Sequence, residues 1–177
     1  MSCVVGVVQN GCVWMGGDSA ATDAGGLQTV CANPKVFRRE NYLVGAVGTW
    51  RLIQLLRYEN LGPLDPANPD ISVEVWADDF AEMCRVKALL NAEGEIRDEA
   101  MVMLGFAHKL YVVQKDFGVI VSQRGYDAIG TMATESVALG NLWATEGIAG
   151  EDRVRLALEA SAEFCATVRP PFVIETL

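Results

Sequence analysis

Two short apolar runs, residues 3–9 and 12–17, stand at the start of the chain and are separated only by Asn10 and Gly11. An Asn-Gly pair between two apolar runs is a strong signal for a two-residue hairpin, because both residues accept positive φ. N-terminal residues are usually loose, but here the apolar pattern begins at residue 3. The sequence therefore predicts a first strand that holds the segment beginning with Ser2 inside the fold.

Strand and helix signals then come in blocks. After the hairpin, strands are predicted at 34–38, 42–47, 101–106, 110–114, 118–121, 126–129 and 172–174, and helices at 50–59, 71–92, 132–145 and 150–168. Blocks of this kind favour a layered α+β architecture over a doubly wound parallel sheet. No repeat or linker interrupts the pattern, so residues 1–177 are predicted to form a single domain.

Composition excludes several classes of partner. Fourteen basic against 23 acidic residues give a net charge of −9, which argues against a nucleic-acid-binding surface. No apolar run is long enough to span a membrane, and the first run reaches polar residues too soon for a signal peptide. The five scattered cysteines predict reduced, buried thiols. We therefore expect a cytoplasmic protein that binds neither nucleic acid nor membrane.

The sequence also limits the available chemistry. His108 is the only histidine, and its position between two predicted strands indicates an exposed turn rather than a member of a Ser-His-Asp triad. There is no C-x-x-C pair for a metal and no phosphate-binding glycine loop after a strand. We expect no metal and no cofactor.

A nucleophile that needs no histidine remains. An N-terminal serine can use its own α-amine as general base, because the pKa of that amine lies near 8. Removal of Met1 exposes Ser2, which the first strand holds in place. Such a site also needs a buried Lys–Asp pair, for which Lys35 and Asp18 are candidates, and a backbone N–H for the oxyanion, for which Gly48 is a candidate.

Several motifs stand in a consistent order along the chain. They are residues 2–7, Asn10-Gly11, the Gly-Gly-Asp of 16–18, the Asn-Pro-Lys-Val of 33–36, the Gly-Ala-Val-Gly-Thr of 45–49, the segment 126–132 and the ending 172–177. Their order and spacing resemble those of proteasome β-type subunits, most closely the bacterial HslV-type heat-shock ring protease. The resemblance implies an Ntn-hydrolase fold, a four-layer αββα sandwich of two stacked sheets between helical layers.

The same resemblance implies a catalytic role for each matched residue. Ser2 is the nucleophile through Oγ, with its freed amine as base. Asp18 holds Lys35, which tunes that amine, and the Gly48 N–H polarises the scissile carbonyl. Thr131 hydrogen-bonds the amine.

The substrate site and partners also follow from the resemblance. Ala21, Thr22, Ala46 and Thr49 line the substrate strand and its first pocket, which favours cleavage after hydrophobic residues. Glu163 lies at the position of a family acid beside the active site. The implied partners are further copies of the chain in a stacked ring, a AAA+ unfoldase, and a peptide or unfolded protein as substrate.

Three departures from the family pattern leave alternatives open. Serine replaces the usual threonine, Thr131-Met132 replaces Ser-Gly, and Ala166 stands where a hydroxyl is expected three residues after Glu163. A catalytically dormant ring or scaffold protein and an Ntn small-molecule amidase therefore stand beside the peptidase. An enclosed pocket would favour the amidase, and an open groove beside a strand edge would favour a peptide.

Overall fold

The protein's computed structural model describes residues 2–22 and 26–177. The strands are β1 (Cys3–Gln9), β2 (Cys12–Gly17), β3 (Ala20–Thr22), β4 (Gln28–Val30), β5 (Val36–Arg39), β6 (Tyr42–Val47), β7 (Met101–Phe106), β8 (Lys109–Val113), β9 (Val119–Val121), β10 (Tyr126–Gly130) and β11 (Val173–Thr176). The helices are α1 (Trp50–Tyr58), α2 (Pro69–Val86), α3 (Met132–Ala144) and α4 (Gly150–Phe164). None of these helices is long and apolar enough to cross a membrane.

The first sheet is built around the N-terminal hairpin. Its order is β10-β1-β2-β11, and all neighbours are antiparallel. Asn10 (φ 52°) and Gly11 (φ 79°) form the turn, as the Asn-Gly signal predicts. β1 is therefore a central strand with a partner on each side, and it fixes the position of Ser2.

The second sheet is an antiparallel meander in the order β5-β6-β7-β8-β9. A separate ribbon of β3 and β4 follows the first hairpin. The sequence does not predict this ribbon, because its segment is small and polar and lacks an apolar alternation. β3 nevertheless lies beside the site described below.

The two sheets are stacked face to face and covered by helices. Apolar side chains between the sheets include Val4, Met15, Leu43 and Met103. α3 and α4 pack on the outer face of the first sheet, and α1 and α2 cover the second. The predicted αββα sandwich is confirmed.

Some details differ from the sequence prediction. α2 ends at Val86 rather than at residue 92, because Ala88 adopts φ 57°, which a right-handed helix does not accommodate. α4 ends at Phe164 rather than at residue 168. All five cysteines are free, but the prediction that they are buried holds only for Cys3 and Cys84. Cys31 and Cys165 are half-buried, and Cys12 is exposed at the hairpin turn.

Candidate active site

A buried ion pair joins the two sheets. Asp18 directly follows β2, and Lys35 directly precedes β5. Lys35 Nζ lies 2.8 Å from Asp18 Oδ1, and the two residues are only 2% and 1% exposed. The structure thus brings together two residues that are 17 positions apart in the chain.

The Asp18 carboxylate also orders the backbone around it. Its Oδ1 accepts a hydrogen bond from the Cys3 N–H, and its Oδ2 accepts one from the Ala20 N–H, each at 2.9 Å. Lys35 donates a second hydrogen bond to the Ala20 carbonyl at 2.7 Å. Burial lowers the pKa of Lys35, and the nearby Asp18 charge opposes that shift in part.

Ser2 stands at the entrance to β1, where its backbone is tightly held. Its carbonyl accepts a hydrogen bond from the Thr134 hydroxyl at 3.3 Å. A Cβ on Gly130 would come within 2.5 Å of that same carbonyl oxygen and of Thr134 Oγ1, so β10 can approach Ser2 closely only with glycine at this position. Ser2 is 7% exposed, and Met1 lies outside the described residues.

A cavity of about 770 Å³ opens at Ser2. Its lining comprises Ser2, Ala20, Ala21, Thr22, Lys35, Val47, Gly48, Thr49, Trp50, Asp98, Glu99, Met101, Gly130, Thr131, Met132, Glu135 and Ser136. The Ser2 hydroxyl forms no hydrogen bond with any of the described residues. The hydroxyl of this lining residue therefore has no competing partner among them.

Most of the residues singled out from the sequence meet at this cavity. Of the predicted catalytic residues, Ser2, Lys35, Gly48 and Thr131 line it, and Asp18 lies directly behind Lys35. Of the predicted substrate-binding residues, Ala21, Thr22 and Thr49 line it. The catalytic and binding roles of these residues stay predictions.

Gly48 is held in a conformation that requires glycine. It has φ 120°, and a Cβ there would lie 2.4 Å from Ala100 Cβ. The next residue, Thr49, is the N-cap of α1, and its hydroxyl accepts a hydrogen bond from the Leu52 N–H at 3.3 Å. Because Gly48 has no side chain, it presents only backbone to the cavity.

Thr131 precedes α3, and its hydroxyl lies 3.2 Å from that of Thr134. Met132 stands where the family pattern has glycine; its side chain is 85% exposed, and the residue lines the cavity. Sequence reasoning missed Thr134. The available signal was the position of Thr134 in the first turn of α3, the helix that begins directly after Thr131.

Two residues singled out from the sequence do not reach the cavity. Ala46 is buried among the side chains that pack against α1 and α2, whereas Val47 lines the cavity, because successive side chains of a strand point to opposite faces. Ala46 is thus not a lining residue.

Glu163 is exposed on α4 and lines a separate surface groove beside Pro170 and Phe172. Ser161, two positions earlier, is fully buried, and its hydroxyl lies 3.7 Å from Cys3 Sγ. Two helical positions correspond to a rotation of about 200°, so Glu163 points away from β1. It does not lie beside the cavity.

Cys3 follows Ser2 but is not a second nucleophile. Burial raises the pKa of its thiol to about 12, so the thiol stays protonated near neutral pH. Its role is packing between β1 and α4. Among residues 2–22 and 26–177, no group of three or more His, Cys, Asp or Glu side chains is arranged to hold a metal ion.

Sequence reasoning also missed one aromatic and three acidic residues of the lining. Lys35 Nζ lies 5.8 Å from the centre of the Trp50 ring. Asp98 and Glu99 come from the loop before β7, and Glu135 comes from α3. Burial raises the pKa of Glu135, and the nearby Asp127 charge adds to that shift.

Comparison with solved structures finds the same fold over nearly the whole chain. BPH from Thiobacillus denitrificans, solved in complex with epoxomicin, has a TM-score of 0.81 at 18% identity, with 99% of this chain and 97% of that one covered. Eukaryotic HslV from Trypanosoma brucei has a TM-score of 0.75 at 18% identity, with 99% and 98% covered. Anbu, an ancestral β-subunit from Yersinia bercovieri, has a TM-score of 0.66 at 9% identity, with 98% and 80% covered.

No protein-family model matches the chain, and no curated protein matches it. The structural comparisons confirm the predicted fold. The chain has the αββα fold of HslV-type and other proteasome-like proteins.

Proposed function

We propose that this protein is an N-terminal-nucleophile hydrolase of peptide bonds, with Ser2 as nucleophile after removal of Met1. The observation that supports this most directly is the placement of the Ser2 hydroxyl. Ser2 lines a cavity of about 770 Å³, its hydroxyl forms no hydrogen bond with any of the described residues, and Lys35, buried with Asp18, lines the same cavity. An ion pair with a purely structural role would not need to lie beside an unpaired serine hydroxyl at a cavity.

The reaction proceeds in two steps. Ser2 Oγ bonds to the carbonyl carbon of the substrate while its proton passes to the α-amine of Ser2. The tetrahedral intermediate expels the peptide's amine, which takes that proton, and an ester remains on Ser2. Water then attacks the ester through the same base, the carboxylic acid leaves, and the proton returns to Oγ.

Lys35 and Asp18 support this chemistry from behind Ser2. A lysine cation near the α-amine disfavours a second positive charge and lowers the pKa of the amine. Asp18 accepts hydrogen bonds from both the Cys3 N–H and Lys35, so the same carboxylate positions the lysine and the backbone next to the nucleophile.

Gly48 and Thr131 complete the proposed site. The Gly48 N–H stabilises the negative charge that develops on the carbonyl oxygen, the role for which a fixed backbone donor is effective. Thr131, with its hydroxyl beside that of Thr134, orients the amine. Ala21, Thr22 and Thr49 border the substrate.

The ribbon beside the cavity favours a peptide over a small amide. β3 pairs with β4 on one side only among the described strands, and its residues Ala21 and Thr22 line the cavity. An extended peptide can add to a free strand edge of this kind. This is the discriminating feature between the peptidase and the amidase.

We further propose that copies of the chain form a stacked cytoplasmic ring fed with unfolded protein by a AAA+ unfoldase. The resemblance of the sequence motifs to HslV-type subunits supports this assembly, and so do the HslV and Anbu structures that share the fold. Exposed apolar side chains on the helical layers, including Trp143 (68%) and Phe164 (76%), provide surface for contacts between copies.

The test is intact mass spectrometry of protein expressed without an N-terminal tag, before and after incubation with epoxomicin, the compound bound in the Thiobacillus BPH structure. We expect a mass without methionine and one adduct, lost in Ser2→Ala and kept in Ser122→Ala, whose serine lies outside the cavity. Retained Met1, or a free Ser2 that never forms an adduct, would instead favour the dormant ring protein. Turnover of simple amides without peptide cleavage would favour the amidase.

A further inference from the structure

Acidic side chains dominate the charge of the cavity at Ser2. Asp98, Glu99 and Glu135 all line it, and Lys35 is the only cation among the described lining residues. The charge of Lys35 is already balanced by Asp18 at 2.8 Å. The lining therefore carries an excess of negative charge that no residue of the lining neutralises.

The three carboxylates differ in how far they are already paired. Glu99 lies 3.3 Å from Lys115, so its charge is shared. Asp98 and Glu135 form no ion pair with any of the described residues. Glu135 is half-buried, and an unpaired carboxylate in such a position gains most from a cation that enters the cavity.

The loop that carries Asp98 and Glu99, here called the acidic loop, is held at the cavity by its backbone. Asp98 and Glu99 both adopt positive φ (63° and 50°), and the next residue, Ala100, is buried. A Cβ at Gly48 would meet Ala100 Cβ, which shows how closely the acidic loop packs on the proposed oxyanion segment. The backbone that carries Asp98 and Glu99 thus lies at a set position beside the proposed site, with both side chains exposed at the mouth of the cavity.

Apolar groups complete the cavity between these charges. Trp50, Met101 and Met132 line it. A lysine or arginine side chain matches such a lining, because its methylene stem packs on apolar and aromatic surface while its charged end reaches a carboxylate. The Trp50 ring already lies near one cation, Lys35 Nζ.

We propose that the cavity at Ser2 selects peptides that place a lysine or arginine side chain in it, with Asp98 and Glu135 as the residues that determine this specificity. The proposal rests on the hydrolase function proposed above. It replaces the expectation of cleavage after hydrophobic residues, which considered only the small lining residues. The same negative charge disfavours peptides with acidic side chains at this position.

The test uses three fluorogenic peptides that differ only at the residue before the scissile bond: arginine, its neutral isostere citrulline, and glutamate. We expect kcat/KM to fall at least about tenfold from arginine to citrulline and further to glutamate. Asp98→Asn and Glu135→Gln should each reduce the arginine/citrulline ratio about fivefold, the effect of one unit charge near 5 Å at high effective dielectric. Glu99→Gln should reduce it less, because Lys115 shares that charge.

Glu159→Gln, an exposed α4 residue outside the cavity, removes the same charge and should leave the ratio unchanged. Thermal melts of all variants establish that they fold. Equal cleavage of the arginine and citrulline peptides, or an unchanged ratio in both Asp98→Asn and Glu135→Gln, would overturn the proposal.

If no peptide is cleaved and epoxomicin forms no adduct, the hydrolase function fails, and the specificity of the cavity is measured without turnover. Fluorescence anisotropy with labelled peptides on Ser2→Ala protein then decides it. Tighter binding of the arginine peptide than of the citrulline peptide, weakened by Glu135→Gln, supports the proposal. Equal binding overturns it.

Discussion

Asp18 Oδ1 accepts hydrogen bonds from the Lys35 ammonium, directly before β5 of the second sheet, at 2.8 Å and from the Cys3 N–H in β1 of the first sheet at 2.9 Å. One atom therefore fixes the distance between the buried lysine and the strand that carries Ser2. Fold and proposed chemistry depend on the same contact, and its removal should affect both.

Asp18→Asn should destabilise the fold strongly, because it leaves the Lys35 ammonium buried without a counter-charge. Breaking a buried pair in this way costs about 3–5 kcal/mol of unfolding free energy, measurable by urea denaturation. Asp18→Asn combined with Lys35→Met should recover much of that loss. Asp78→Asn, an exposed substitution on α2, is the control and should change stability by less than about 0.5 kcal/mol. A similar small effect for Asp18→Asn would show that the pair contributes little.

Gly130→Ala should reduce activity more than stability. The added Cβ would lie 2.5 Å from the Ser2 carbonyl oxygen and from Thr134 Oγ1, so Ser2 must shift away from its position. A displacement of about 1 Å at a nucleophile can cost 100-fold in rate, measured as the rate constant for the epoxomicin adduct.

The matched control for this variant is Gly140→Ala in α3. No atom lies within 4 Å of a Cβ built there, and alanine favours a helix over glycine by about 1 kcal/mol. This variant should be slightly more stable and react normally. Equal reaction rates for the two variants would mean that Gly130 does not position Ser2.

The residues that form the proposed site were accessible from the sequence for a physical reason. Ser2, Asp18, Lys35 and Gly48 each adjoin the end of a strand, and their types match one chemistry. The structure places Asp18 and Lys35 in contact, although the sequence shows only two charges beside separate strands. The grouping was predictable because an N-terminal nucleophile requires a Lys–Asp pair and an oxyanion donor, and because the sequence motifs resemble those of proteasome β-type subunits.

Other features left no usable pattern. β6 is buried along its whole length, since helices cover one face and a sheet the other, so hydrophobic alternation cannot show which residue faces the cavity. The sequence pointed to Ala46, and Val47 lines it. Asp98 and Glu99 lie in a polar loop. In such a loop the sequence pattern of two solvent-exposed acids is the same as that of two acids that line a site.

Gly48→Ala should destabilise the protein through two separate effects. Its φ of 120° strains any L-residue, and its Cβ would lie 2.4 Å from Ala100 Cβ. Gly94→Ala separates the backbone strain from the steric clash. Gly94 also has positive φ (82°), but no atom lies within 4 Å of a Cβ built there, so this variant has the strain without the clash. Strain of this kind costs of order 1–3 kcal/mol, so chemical denaturation should show a larger loss for Gly48→Ala. Equal losses would attribute the requirement at Gly48 to backbone conformation alone.

Stability should fall as pH rises above about 9, because two buried thiols keep their protons. Burial raises the pKa of Cys3 and of Cys84 from 9.0 to about 12. The contribution of the two protonated thiols to the unfolding free energy is fully present below pH 9, where the folded and the unfolded chain both hold the proton. Between pH 9 and 12 only the folded chain holds it, so unfolding releases a proton and becomes more favourable.

Each thiol should therefore lower the unfolding free energy by about 1.4 kcal/mol per pH unit in that window, or about 2 kcal/mol at pH 10.5. Lys35 has the opposite effect on the unfolding free energy. Because its pKa is lowered in the folded chain, the unfolded chain binds the proton more tightly, and stability rises with pH up to the ordinary pKa of lysine. Urea denaturation of Cys84→Ala at pH 8, 9 and 10.5 should show a shallower decline than wild type. Cys12→Ala, which removes an exposed thiol, should retain the wild-type slope. Parallel declines in wild type and Cys84→Ala would show that Cys84 loses its proton as readily in the folded chain as in the unfolded one.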